Sequence, residues 1–266
     1  MIRRFGIAIA ALVCATAVSA AAAPLQRGQR GAAPKPGPPH DPHDLNGVWL
    51  LVGPGDNGHP ESQWSPEKLP FTPAGRAAFD GRKPGKGPRA GLPAKGNDPL
   101  SNANVPGLLR TLVYSRPFQF IQAGDKTVQL FEWFRIWREI WTDDRKMPED
   151  PGPRFYGYSV GRWDGDTFVV DTTGLDPRLW GDEWGMPFSE DMLVTERWHR
   201  LDQDNMELTV TFNDPKMYTK PWTSDASRFR LQLKGTPNGE LLEVIFAPID
   251  EENFNEVIRD LSNGVK

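Results

Sequence analysis

Cysteine is almost absent from this chain of 266 residues, and the single one, Cys14, lies in the first apolar run. Beyond that run there is no thiol, which excludes disulfides and any cysteine-based metal site. Histidine is scarce too, at four residues, and no metal site or cofactor is expected. Basic residues are not in excess: Lys and Arg total 31 against 35 Asp and Glu, with no basic cluster. That balance argues against nucleic acid and against anionic membrane surfaces as partners. No helical segment of ten or more residues separates the strand-like runs, which excludes most α/β architectures.

The opening "MIRRFGIAIAALVCATAVSAAAAPLQ" has a basic start at Arg3 and Arg4, an apolar stretch from Phe5 to Val18, and small residues at Val18-Ser19-Ala20. This is the pattern of a secretory signal peptide, assigned to residues 1–22, and its apolar run is short for a membrane span. Val13 and Ala11 do not suit a lipoprotein reading of Cys14. No later stretch is long and apolar enough to cross a bilayer, so the mature chain is expected to be periplasmic or secreted, with no membrane partner. Removing Arg3 and Arg4 takes the 31 basic residues to 29 and the net charge from −4 to −6. Oligomeric state is left open.

What the chain does have is aromatic residues and turn formers: ten Trp, fourteen Phe, 26 Gly and 26 Pro. Residues 23–43 are rich in Pro, Gly and basic residues without apolar periodicity, and are read as a disordered linker in which His40 and His43 are polar tether residues. Residues 44–266 are read as a single domain. A first strand at "LNGVWLLVG" precedes a long Pro/Gly-rich loop insertion, 54–107. One short helix interrupts that loop, with Thr72 as N-cap and Pro73 as first helical residue. From Leu108 the pattern is almost entirely strand, with turns at "DGD", "DQDN" and "TPNG", and a short helix is expected around residues 251–261. Successive hairpins imply an antiparallel meander. The expected fold is therefore all-β, a meander closing into a β-barrel.

"GYSVG" at residues 157–161 matches the G-x-S-x-G pattern of serine hydrolases. A nucleophile elbow needs a helix after the serine. Here "VGRWDGDTFVV" supplies a strand, a tight turn and a returning strand, so Ser159 is read as a small polar strand residue flanked by glycines that permit close packing. The aspartates of "WDGDT" and "LDQDN" are read as turn residues, since no calcium-loop spacing is present.

Strand alternation nominates the polar candidates. In "KTVQLFEWFRIWREIWTD", read as one strand, the more aliphatic face carries Glu132 and Arg138 inward, and Trp133, Trp137 and Trp141 lie on the other face. In "TERWHRLDQDNMELTV", a four-residue loop from Asp202 to Asn205 pairs His199 with Leu208 and Arg197 with Val210. Arg197 and His199 then face inward, and Glu196, Trp198 and Arg200 outward. Ser159, Gly161 and Trp163 share a face. The expected ligand-binding residues are Glu132, Arg138, Tyr158, Ser159, Trp163, Arg197 and His199, and His199 is the acid–base candidate if the protein is an enzyme. The alternative structural roles are a buried ion-pair network for Glu132, Arg138 and Arg197, and a hydrogen-bonded core histidine for His199.

"LNGVW", with Gly47 and Trp49, resembles the G-x-W motif that opens the first strand of lipocalins and related calycin barrels. The resemblance implies a barrel that binds small, mostly apolar molecules, although no T-D-Y segment follows. "DLNGVW", "GNDPL", "REIWTDDRKMPEDPGPRFYGYSVGRWDGDTFVVDTTG" and "DPKMYTKPW" resemble a family of exported bacterial proteins of unestablished function. In that family, segments matching "DDRKMP" and "WGMPFSE" commonly hold histidines, where this chain has Met147, Met186 and Phe188, and a cysteine near "NANVPG" is missing here. The resemblance implies location and architecture and leaves the chemistry open. Three functions are compatible: a binder of a small hydrophobic or aromatic molecule in a barrel cavity with a few polar handles, an isomerase, hydratase or hydrolase acting on such a molecule through His199, or an envelope interaction module using the tryptophan face.

Overall fold

The computed structural model describes residues 40–52, 59–92, 95–102, 104–235 and 239–243. The expected signal peptide, most of the linker and the expected C-terminal helix lie outside the described residues. Ten strands follow in the order β1 (Gly47–Leu51), β2 (Phe118–Ala123), β3 (Lys126–Phe131), β4 (Ile136–Trp141), β5 (Tyr158–Asp164), β6 (Thr167–Thr173), β7 (Leu193–Arg200), β8 (Asn205–Asn213), β9 (Trp222–Thr223) and β10 (Ser227–Leu231). Nine of them close a ring: β1 to β8 pair in sequence, and β10 joins β8 back to β1. The short β9 lies beside β10 along the same edge of β8, at Thr211 and Phe212. The all-β barrel is as expected. Closing the ring removes the free edges that an open sheet would expose.

The ring is not antiparallel throughout. β4 and β5 run parallel, through Ile140↔Ser159 and Trp141↔Val160 alone. A parallel neighbour needs a long crossover rather than a hairpin. Residues 142–157, with Pro148, Pro151 and Pro153, supply it. This seam is the shortest pairing in the closed ring.

Three further differences from the sequence reading have local causes. The stretch read as one strand from Lys126 is a hairpin, folded at residues 132–135 where Phe134 and Arg135 take positive φ. The helix α2 (Leu108–Val113) replaces the start of an expected strand; its six residues are all buried, and a short apolar run does not itself distinguish strand from buried helix. The β7–β8 turn is one residue longer than expected. Leu201 and Asp202 N–H both donate to the Asn205 carbonyl, and the Asp202 carboxylate accepts from Asp204 N, Asn205 N and Asn205 Nδ2. The other helix, α1 (Pro73–Gly81), begins as expected: Thr72 Oγ1 accepts from Gly75 N at 3.0 Å and Pro73 is the first residue.

Aromatic side chains fill much of the interior. Phe118, Phe120, Trp198 and Phe229 pack mostly edge to face at centroid distances of 5.2–5.6 Å, joined by Trp49, Met206 and Leu208. Such packing leaves the ring a filled core along much of its length. The end of the expected tether is ordered here as well: His43 stacks on Trp163 at 4.2 Å and His40 contacts the Arg200 carbonyl.

Candidate functional site

Gln129, Arg138, Ser159, Thr172 and Glu196 come from five consecutive strands, and all point into the barrel with at most 4% exposure. Arg138 donates twice to Glu196, at 2.7 and 2.6 Å, and its Nε donates to Gln129 Oε1 at 2.8 Å. Trp198 Nε1 adds a third hydrogen bond to Glu196, at 3.0 Å. A bidentate guanidinium–carboxylate pair with its remaining lone pairs engaged is the geometry that makes a buried ion pair tolerable. Gln129 Nε2 is buried with no hydrogen-bond partner among the described residues.

Two members of this group, Arg138 and Ser159, also line a cleft at the β4–β5 seam. The cleft, of about 300 Å³, is lined by Trp137, Arg138, Glu139 and Trp141 from β4 and by residues 154–159. Arg138 and Ser159 form its buried floor. Its rim holds two of the chain's exposed aromatics, Trp137 at 63% and Phe155 at 40%. Trp141 lies between Arg145, 3.6 Å from the ring centroid, and Lys126 at 4.8 Å. Tyr158 receives a hydrogen bond from Arg145 Nη1, and its ring lies 5.4 Å from the Arg154 guanidinium. Gly157, at φ +67°, lets the chain turn into β5: a Cβ there would sit 2.5 Å from Thr172 Cγ2 and 2.8 Å from the Thr173 carbonyl.

Charge around the cleft is largely compensated within the protein. Glu139 is held by Lys126 at 2.6 Å, Arg145 by Asp143 at 2.5 Å, and Arg138 by Glu196. Arg154 makes no ion pair with any described residue. Tyr156 is buried, which pushes its phenol up to about 12 against the opposing hydrogen bond with Thr111. It stays a neutral phenol across the physiological range.

Of the expected site residues, Arg138, Tyr158 and Ser159 meet at this cleft. The others do not. Glu132 is buried at the β3–β4 turn, where its carboxylate accepts from Leu242 N and lies 3.8 Å from Arg116. Trp163 packs at the barrel end beneath His43. Arg197 and His199 project outside the wall, the first paired with Asp164 at 3.1 Å, the second 3.2 Å from the Asp166 carbonyl. The longer β7–β8 turn shifts the pairing to His199↔Glu207 and Trp198↔Leu208, and a shift of one residue exchanges the two faces of a strand. Glu196, Trp198 and Arg200 are therefore inside. Nor do the three tryptophans share a face, because Trp133 leaves it to stack on Tyr114 at 4.0 Å.

Ser159 Oγ contacts Thr172 Oγ1 at 2.8 Å and Arg138 Nη1 at 3.4 Å. No histidine or carboxylate among the described residues hydrogen-bonds to it, so nothing there takes its proton. The sequence reading missed Glu196, Arg154, Phe155 and Tyr156. The signal for the last three was the cluster "PRFYGY", aromatic and basic residues grouped just before a strand.

A second cleft, of about 410 Å³, lies between residues 65–70 and 220–225. It is the larger of the two, but its walls are mainly prolines and exposed charged side chains, and its one aromatic, Trp222, is 9% exposed. The seam cleft combines exposed rings with convergent polar groups, the combination that marks small-molecule sites. No family model, no curated protein and no solved structure matches the chain.

Proposed function

We propose that this protein is an exported, lipocalin-like β-barrel that binds a small hydrophobic or aromatic molecule, in the periplasm or outside the cell. The leading segment, with its basic start, apolar core and small residues, supports export. The observation that carries the binding reading is the seam cleft, where the exposed rings of Trp137 and Phe155 stand over a floor made by Arg138 and Ser159. Aromatic walls favour a flat ligand by burial and ring contact, while the buried polar groups orient it. At about 300 Å³ the cleft suits a compound of one or two rings.

His199, the residue best suited to acid–base work, lies on the outer face away from the cleft. The reading is tested by adding a panel of one- and two-ring aromatic compounds to the mature protein and following tryptophan fluorescence. A saturable change with at least one compound, largely lost in Trp137→Ala, is expected. A flat response across the panel contradicts it.

A further inference from the structure

Resting on that reading, we infer that the ligand of the seam cleft carries an acidic group, a carboxylate or a sulfonate, and that Arg154 is the residue that recognises it. Arg154 is exposed at the cleft while its backbone is fixed: its N–H donates to the Gly174 carbonyl at 2.8 Å, and its carbonyl accepts from Asp176 N at 3.0 Å. The side chain thus starts from a held position in the bridge between Arg154 and Leu175. Its guanidinium lies 5.4 Å from the Tyr158 ring centroid and makes no ion pair with any described residue.

The neighbouring charges single out this residue. Glu139, the cleft's one carboxylate, is neutralised by Lys126; Arg145 is neutralised by Asp143; Arg138 is neutralised by Glu196. Among the described residues that line the cleft, the Arg154 charge alone is left without an ion pair, and it sits beside exposed rings. A planar guanidinium presents paired donors that match the two oxygens of a carboxylate. An aromatic acid lying against Trp137 and Phe155 would meet both features at once, whereas a neutral hydrocarbon would use only the rings.

The test compares 2-naphthoate with 2-naphthamide, which share a ring system and differ in charge, by fluorescence titration of the mature protein at neutral pH and low salt. Naphthoate is expected to bind at least tenfold more tightly. Arg154→Gln should bring naphthoate to the level of the amide and leave the amide unchanged, and added NaCl should weaken naphthoate alone. Equal binding of the two compounds to the wild type overturns the inference and leaves the binding reading standing. So does an Arg154→Gln variant that loses both alike, since that marks a structural role. If neither compound binds the wild type while another member of the aromatic panel does, the inference falls alone; if the whole panel is flat, the binding reading fails and the inference with it.

Discussion

Arg138 and Glu196 place opposite full charges 2.6 Å apart in the barrel interior, with Gln129 and Trp198 completing their hydrogen bonds. Removing one partner strands the other charge away from water, which costs about 3–5 kcal/mol. Arg138→Met is therefore expected to lower the unfolding free energy by that amount, and Arg138→Met combined with Glu196→Leu to recover most of it. If the double variant is as unstable as the single one, packing and not charge explains the loss. Gly161 is the other residue on which the interior depends. A Cβ there would lie 2.7 Å from Phe168 Cζ and 2.8 Å from Ile140 Cγ2. Overpacking of this kind costs about 1–3 kcal/mol, the loss expected for Gly161→Ala in chemical unfolding. That glycines beside Ser159 admit a bulky neighbour was legible in "GYSVG", and Phe168 is that neighbour. The inward position of Arg138 was legible too, from its alternation with Ile140.

The β7–β8 hairpin shows how one carboxylate sets the facing of two strands. Burial opposes ionisation of Asp202, but hydrogen bonds from Asp204 N, the Asn205 side chain and Asn205 N, with His40 nearby, outweigh it and hold the carboxyl below its ordinary range. A group whose folded value is depressed stabilises the fold above its unfolded pKa, near 4, and loses that contribution as pH falls through the folded value. The unfolding free energy of the wild type should thus fall more steeply on acidification below about pH 4 than that of Asp202→Asn. Parallel pH profiles for the two proteins contradict this assignment. The turn was hard to read from sequence because "LDQDN" accommodates a four- or a five-residue loop equally well, and one residue exchanges inside for outside. The β3–β4 break was hidden for another reason: Phe134 and Arg135 adopt positive φ without the Gly or Asn that normally marks it. Thr72 and Pro73, by contrast, announced their helix start through side-chain chemistry alone.

Across the whole molecule, a barrel was legible from the alternation and the turns, while its one parallel seam was not. Periodicity describes each strand, and it does not say which strands become neighbours. That seam is where the closed wall has its shortest pairing and where exposed aromatic rings meet the interior charges. The most direct test observes the tryptophan indole N–H resonances by NMR while naphthoate is added, with Trp137→Phe and Trp141→Phe used for assignment. The resonances of Trp137 and Trp141 should move saturably while those of the buried Trp49 and Trp198 hold still. Indole signals that never move up to the solubility limit, or that move only for Trp222 at the other cleft, would contradict a binding site at the seam.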